Sequence, residues 1–426
     1  ACLGLLQSAS WPAPVARLLS PEHARLGHQA AEILAATDDL AAGGSMASDA
    51  AQPPIAQPND SNVAGGAGDA GGEQRAPFVP LSVAPSASRE AALTWAALAA
   101  WLLAAAAVGQ ERLRRRALAA AVVASALFQA VFGARGWFAR SASIWGQSVP
   151  GSVLRLRGTF VNPNHLALFL EMALAIAFAW AWWALIHLPD EPRPERRVLL
   201  VAPPVLAWLA LFAALVFTGS RGGLAAALVG AATQGLLLSR RRRLAPLGVL
   251  VPLAGLTVAA ALGKQEGLGR LLATSAQEIS WTARRQAYGA VVALWRQFPW
   301  TGCGLGAFRD AFPLVQPAAV GGSWWHAQSD WLELPATVGL LGAALVLAGL
   351  FLLLRRLDVV LRLGRRSEDR GAALAALGAL AAVVLHETVD FGLSMPANAV
   401  TLVVILGAAV TARTVAAGTT MERTRR

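Results

Sequence analysis

The stretch "GGSWWHAQSDWLELPATVGLLGAAL", residues 321 to 345, decides how the rest of the chain is read. It sets two tryptophans, a histidine and two carboxylates directly before an apolar run. His326, Asp330 and Glu333 recur at intervals of four and three, which on a helix puts them on one face. A polar helical face emptying into a hydrophobic segment is the pattern expected of chemistry at a membrane surface.

Composition agrees with that setting. The 426 residues are 56% hydrophobic and only 14% charged, with a mean hydropathy of +0.51. Soluble domains carry about 25% charged residues, so most of this chain does not face water. A bilayer core needs about 20 apolar residues per spanning helix, and the sequence supplies such runs repeatedly. The formal charge of +11 does not indicate a nucleic-acid partner, because the arginines are concentrated in short blocks between apolar runs. Cys2 and Cys303 provide neither a disulfide framework nor a metal site. The opening "ACLGLLQ" lacks a signal-peptide layout and reads as the tail of a span with further spans upstream.

Residues 1–90 form an N-terminal segment whose Gly/Ala-rich middle, 41–75, is expected to be flexible. "PEHARLGHQAAEILAAT" (21–37) reads as an amphipathic helix start. Apolar spans follow at about 91–109, 117–134, 165–187, 198–218, 222–239, 245–263, 336–354, 371–388 and 397–415. The predicted fold is therefore an all-α polytopic bundle of about nine transmembrane helices. Residues 91–263 and 336–415 would hold the spans, 264–335 a large helical loop, and 416–426 a tail. The basic blocks "ERLRRR" (111–116), "DEPRPERR" (190–197), "SRRRR" (239–243), "RRLDVVLRLGRRSEDR" (355–370) and "MERTRR" (421–426) all fall on one side. That side is then cytoplasmic. Residues 1–90, 135–164, the corner 218–222, the loop 264–335 and the corner 390–396 lie opposite. Arg155, Arg157, Arg221, Arg284, Arg285 and His326 stand on this outer side against the charge rule, and anionic ligand binding is a natural reason for them.

Motifs in "RLRGTFVNPNHLALFLEMALA" (155–175), "TGSRGGLAAALVG" (218–230), "RRQAYGAVVALWRQFPWTGCGLGAFRDAFP" (284–313), "HAQSDWLELPATVGLLG" (326–342) and "LHETVDFGLSMPANA" (385–399) occur in this order on one predicted face. Together they resemble the O-antigen ligase and O-antigen polymerase superfamily of bacterial envelope glycosyltransferases, over residues 90 to 415. The resemblance implies a GT-C-like architecture in the bacterial cytoplasmic membrane with the active site facing the periplasm. It also implies a donor glycan linked to undecaprenyl diphosphate, an acceptor hydroxyl on lipid A core, a growing glycan or a protein, and no metal or cofactor. O-antigen ligation is the leading reading; repeat-unit polymerisation and protein glycosylation are alternatives. A transporter would need ionisable groups near midspan and inverted repeats. The spans are nearly free of such groups, Glu171 being the main exception.

Individual residues take roles within that resemblance. Arg221 sits where one span ends and the next begins; a guanidinium there matches phosphate oxygens bidentately, and a helix N-terminus favours anions. Arg284 stands four residues before Tyr288, the family's spacing, and is expected to be a second diphosphate ligand, with Arg285 in support. His326 matches the position of the presumed base, with Asp330 four residues on to fix its tautomer. Ala327 stands where family members usually have Asn. Arg155 and Arg157 would attract the donor. Asn162 and Asn164 flank Pro163 as a helix-start signal. His386 and Asp390 would line the cavity or cap a helix. "GCGLGAF" (302–308) reads as a turn, since a dinucleotide fingerprint requires a preceding strand. Among the tryptophans crowding 281–331, Trp324 or Trp325 is the candidate for sugar stacking, beside the default interfacial role.

Overall fold

The computed structural model describes residues 1–48, 78–141, 143–149, 155–239 and 281–414. The expected span at 245–263, the loop residues 264–280, the tail 416–426 and most of the Gly/Ala-rich segment lie outside the described residues. The helices are α1 (Cys2–Ser8), α2 (Ala13–Leu19), α3 (Pro21–Ser48), α4 (Pro85–Gly109), α5 (Arg112–Phe138), α6 (Pro163–His187), α7 (Pro194–Thr218), α8 (Arg221–Ser239), α9 (Trp281–Gln297), α10 (Phe308–Ala311), α11 (Asp330–Leu363), α12 (Ser367–His386) and α13 (Pro396–Val410). Thus α3 runs into the start of the segment expected to be flexible. Among the described residues, α4, α5, α6, α7, α8, α11 and α12 are the seven helices long and apolar enough to cross a membrane. The apolar α13 is shorter, at 15 residues.

The most buried element is α6. Its residues from His165 to Ala179 are buried on every side, which is what a helix apolar all round does. It packs against α7, α8 and α12, while α13 lies along α4. Asn162 starts α6 by accepting from the backbone of Asn164 at 2.9 Å, as the sequence signal predicts. Close packing at the start of α8 depends on small residues: a Cβ at Gly223 would stand 2.7 Å from the Ala167 Cβ and 2.9 Å from Glu171 Oε1.

α11 is not one continuous helix. It is broken at Gly339, with φ 65° and ψ −174°, a conformation essentially confined to glycine. The turn after α9 fills the break. Cys303 and Gly304 donate to the carbonyls of Ala336 and Thr337 at 2.8 and 3.0 Å, and Leu340 donates to Pro299 at 2.9 Å. The buried Gln7 of α1 completes the joint, donating to the carbonyls of Thr301 and Thr337 and accepting from the amide of Leu305. Irregular backbone at membrane depth survives only where protein satisfies it, and "GCGLG" supplies that satisfaction. The run is a turn, as its sequence indicates, and its amides at Cys303 and Gly304 are spent on α11.

Candidate active site

His326 does not lie on a helix. α11 begins at Asp330 behind Ser329, and Gln328 before it has a left-handed backbone, φ 58°. Tyr288 of α9 holds that turn, its hydroxyl donating to the Gln328 carbonyl at 3.1 Å. The expected pairing of His326 with Asp330 across one helical face is therefore corrected. The turn swings His326 back over the helix start, and its partner is Glu333, with Nδ1 at 3.2 and 3.3 Å from the two carboxylate oxygens. The same carboxylate accepts from the Ala327 amide at 2.8 Å. A carboxylate only accepts, so the proton of neutral His326 belongs on Nδ1 and the Nε2 lone pair is available. Burial pulls the His326 pKa down, but the hydrogen bond and charge of Glu333, with a smaller pull from Asp330, raise it overall above the ordinary histidine value.

Asp330 faces another way. Its backbone amide donates to the carbonyls of Glu387 and Asp390 at 3.1 and 3.2 Å, and Oγ of the preceding Ser329 donates to the Glu387 carbonyl at 3.3 Å. Burial, and then the adjacent Asp330 charge, hold the Glu387 pKa far above the carboxylate range. Both effects favour the protonated form of Glu387.

The segment after α12 ties the site together. Phe391 stacks under His326 with ring centroids 4.7 Å apart, and His165 meets Phe391 edge-on at 5.0 Å. Arg284 donates from Nη1 to the Val389 carbonyl at 3.2 Å, while its Nε is buried with no hydrogen-bond partner. A Cβ on Gly222 would lie 3.1 Å from Val389 and 3.4 Å from His386, so Arg221 opens α8 against the same segment. Arg221 is exposed. Arg284, His326 and the start of α8 at Gly222, next to Arg221, thus share residues 386–391 as their common neighbour.

Beneath this segment runs a buried polar chain. His386 Nδ1 lies 2.8 Å from Glu171 Oε1, an ion-pair contact whose angle falls short of a hydrogen bond. His386 Nε2 and His165 Nε2 each stand 3.7 Å from an oxygen of Asp390. All four side chains are at most 6% exposed. Buried ionisable groups within a membrane bundle are costly and functional by default. His165 and Phe391 escaped the sequence reading as site residues; a histidine two residues into a mostly apolar helix was the available signal for the first.

Other expected residues are arranged differently. Arg155 donates to the Thr218 carbonyl and to Asn164 Oδ1, both at 2.6 Å, and so ties the 155–164 segment to the end of α7. Arg157 is buried and Arg285 is exposed. Trp331 donates to the Val384 carbonyl at 2.9 Å, and Trp324 packs against Phe312. Trp325 is 60% exposed, with the Arg309 guanidinium 3.7 Å from its ring centroid. Of the two tryptophans considered for sugar stacking, Trp325 is the accessible one. Cys2 and Cys303 are both free thiols. Among the described residues no group of three or more His, Cys, Asp or Glu side chains is placed to hold a metal ion.

No curated protein matches the chain. One family model does: Wzy_C, described as O-antigen ligase, over residues 205–347. The matched stretch takes in the end of α7, Arg221, Arg284, Arg285, His326, Asp330, Glu333 and the broken start of α11; it excludes Arg155, Arg157, Glu171, His386 and Asp390. Residues 205–347, with Arg221, Arg284 and His326 among them, thus match the O-antigen ligase family, whose members are membrane glycosyltransferases.

Proposed function

We propose that the chain transfers a glycan from undecaprenyl diphosphate to an acceptor hydroxyl at the outer face of the cytoplasmic membrane, as an O-antigen ligase. The convergence of Arg284, His326 and the Arg221–Gly222 start of α8 on residues 386–391 is the observation that carries this reading. In the reaction the acceptor oxygen attacks the anomeric carbon and gives its proton to His326 Nε2. The bond from that carbon to the diphosphate oxygen breaks, and the departing oxyanion keeps the electron pair. Arg221 and Arg284 offset the charge that develops on it, as fixed cations do in a water-poor site. A single displacement of this kind inverts the anomeric configuration. The unsatisfied Nε of Arg284 is a donor that a phosphate oxygen would satisfy.

Glu333 holds and charges the base. A base must be unprotonated, so transfer is lost as pH falls through the His326 pKa and regained above it. Because Glu333 raises that pKa, the acid limb of the parental rate profile is expected above the ordinary histidine value of about 6.5. Glu333→Gln removes the charge and leaves the lowering effect of burial, so the limb should move to lower pH while the plateau rate falls about ten-fold. A pH profile of transfer in membranes checks this; an unmoved limb would remove Glu333 from the base.

For the diphosphate ligands, Arg284→Lys keeps a positive charge but loses the planar fork, and Arg221→Ala loses both. Each substitution should cut transfer about 100-fold or more, with normal amounts of protein in the membrane. Wild-type rates from both variants would refute the clamp. Offering lipid A core, a lipid-linked repeat unit and a protein acceptor separately, with one lipid-linked donor, distinguishes ligation from polymerisation and protein glycosylation.

A further inference from the structure

The end of the bundle opposite His326 holds a feature that glycan transfer leaves unused. A groove of about 540 Å³ runs between α5, α6, α12 and α13. Along its length it is lined by alkyl side chains, among them Val123, Leu127, Ile176 and Ile405, and its mouth carries Arg112, Arg115 and Arg116 with Trp180 and Trp183. His187 and Ser367 are 3.3 Å apart at this end. His165 marks the other end of α6, about 33 Å away at 1.5 Å per residue. The groove is therefore separate from the candidate active site.

Charge at the mouth is unbalanced. Arg115 is committed, lying 2.5 Å from Asp369 and donating to the Gly109 carbonyl at 3.0 Å. Arg112 and Arg116 share one carboxylate: Glu368 touches Arg116 directly and stands 3.7 Å from Arg112. Two cations on one anion leave a net positive charge on side chains that are 47% exposed. The Arg116 guanidinium also lies 5.3 Å from the Trp183 ring centroid, and α5 and α12 both begin here with their N-terminal amides. Ala120 and Ala124 of the groove wall are exposed, so it is open on the side that faces lipid. An apolar trough with a singly cationic, amide-rich mouth matches a ligand that has one negative headgroup and a hydrocarbon chain.

We propose that this groove is a binding site for an anionic diacyl phospholipid, with its headgroup between Arg112 and Arg116 and an acyl chain along Val123, Leu127 and Ile405. Basic pockets between spans recognise anionic headgroups in this way. The inference goes beyond glycan transfer and does not depend on it.

The test uses the full chain, purified in neutral detergent and offered phosphatidylglycerol or phosphatidylcholine with identical chains, bound lipid being counted by native mass spectrometry. The parent should retain phosphatidylglycerol about ten-fold over phosphatidylcholine. Arg112→Gln leaves the Arg116–Glu368 pair in place and should reduce that preference about five-fold. Ala119→Phe, which fills the groove, should displace both lipids. The thermal transition of each variant in the same detergent separates lost lipid from lost fold. Equal retention of the two lipids by the parent overturns the proposal, as does a preference that survives both substitutions in folded protein. Inorganic phosphate competing as well as phosphatidylglycerol would also overturn the assignment to a lipid.

Discussion

Replacing His326 with alanine is expected to reduce glycan transfer by about 100- to 10,000-fold, the range that a general base contributes, without removing the protein from the membrane. The side chain is 27% exposed, its ring stacks on Phe391 and its Nδ1 reaches Glu333. The Ala327 amide still bonds to Glu333 in the variant, so the turn before α11 keeps a partner. The lost element is the Nε2 lone pair. Transfer of a labelled glycan from its lipid diphosphate, in membranes adjusted to equal protein, measures the effect. Donor binding should be nearly unchanged, because the arginines remain. Parental turnover by this variant would remove the base from the mechanism.

The second large effect falls on the fold. Gly339→Ala places a methyl group 2.1 Å from the Trp300 carbonyl oxygen, at a φ and ψ that only glycine adopts readily. Nothing flexible can move aside, because the atoms it meets are backbone. A cost of about 3 kcal/mol or more follows from strain and overlap together, a large share of a typical folding free energy. Reduced yield and a lowered thermal transition in detergent should report it. Gly349→Ala is the control within the same helix. A Cβ there meets nothing within 4 Å, so the alanine should leave the transition unchanged or raise it slightly. Equal behaviour of the two variants would show that the break in α11 is dispensable.

Both sites show where sequence reading succeeds and where it stops. Apolar runs, Asn162 as a helix start and the clustering of ionisable motifs at one end were legible because each rests on local chemistry. Seven helices now stand as membrane candidates among the described residues, where about nine spans were expected over the whole chain. The partner of His326 was not legible. Spacing of four and three suggests one helical face, but the left-handed Gln328 ends that inference, and it is held by Tyr288 from 40 residues away. Glu171 could be noticed as a carboxylate in an apolar helix, yet nothing local predicts its contact with His386. The pairing of "GCGLG" with a broken helix is equally non-local, since neither segment reveals the gap in the other.

The shortness of α13 carries a consequence for depth. Fifteen residues rise about 22 Å, against a hydrocarbon thickness of about 30 Å. At one end the helix is level with its neighbours: Gly364, between α11 and α12, pairs with Thr414 just beyond α13, and Arg356 donates to the Val410 carbonyl at 2.7 Å. The shortfall therefore falls at the other end, where Phe391 and His326 meet. On the proposed function, such a shortfall would set that end below the headgroup plane, like the floor of a well. A polyprenyl tail could then stay dissolved in the bilayer while its sugar reacts, and the acceptor would have to descend to meet it.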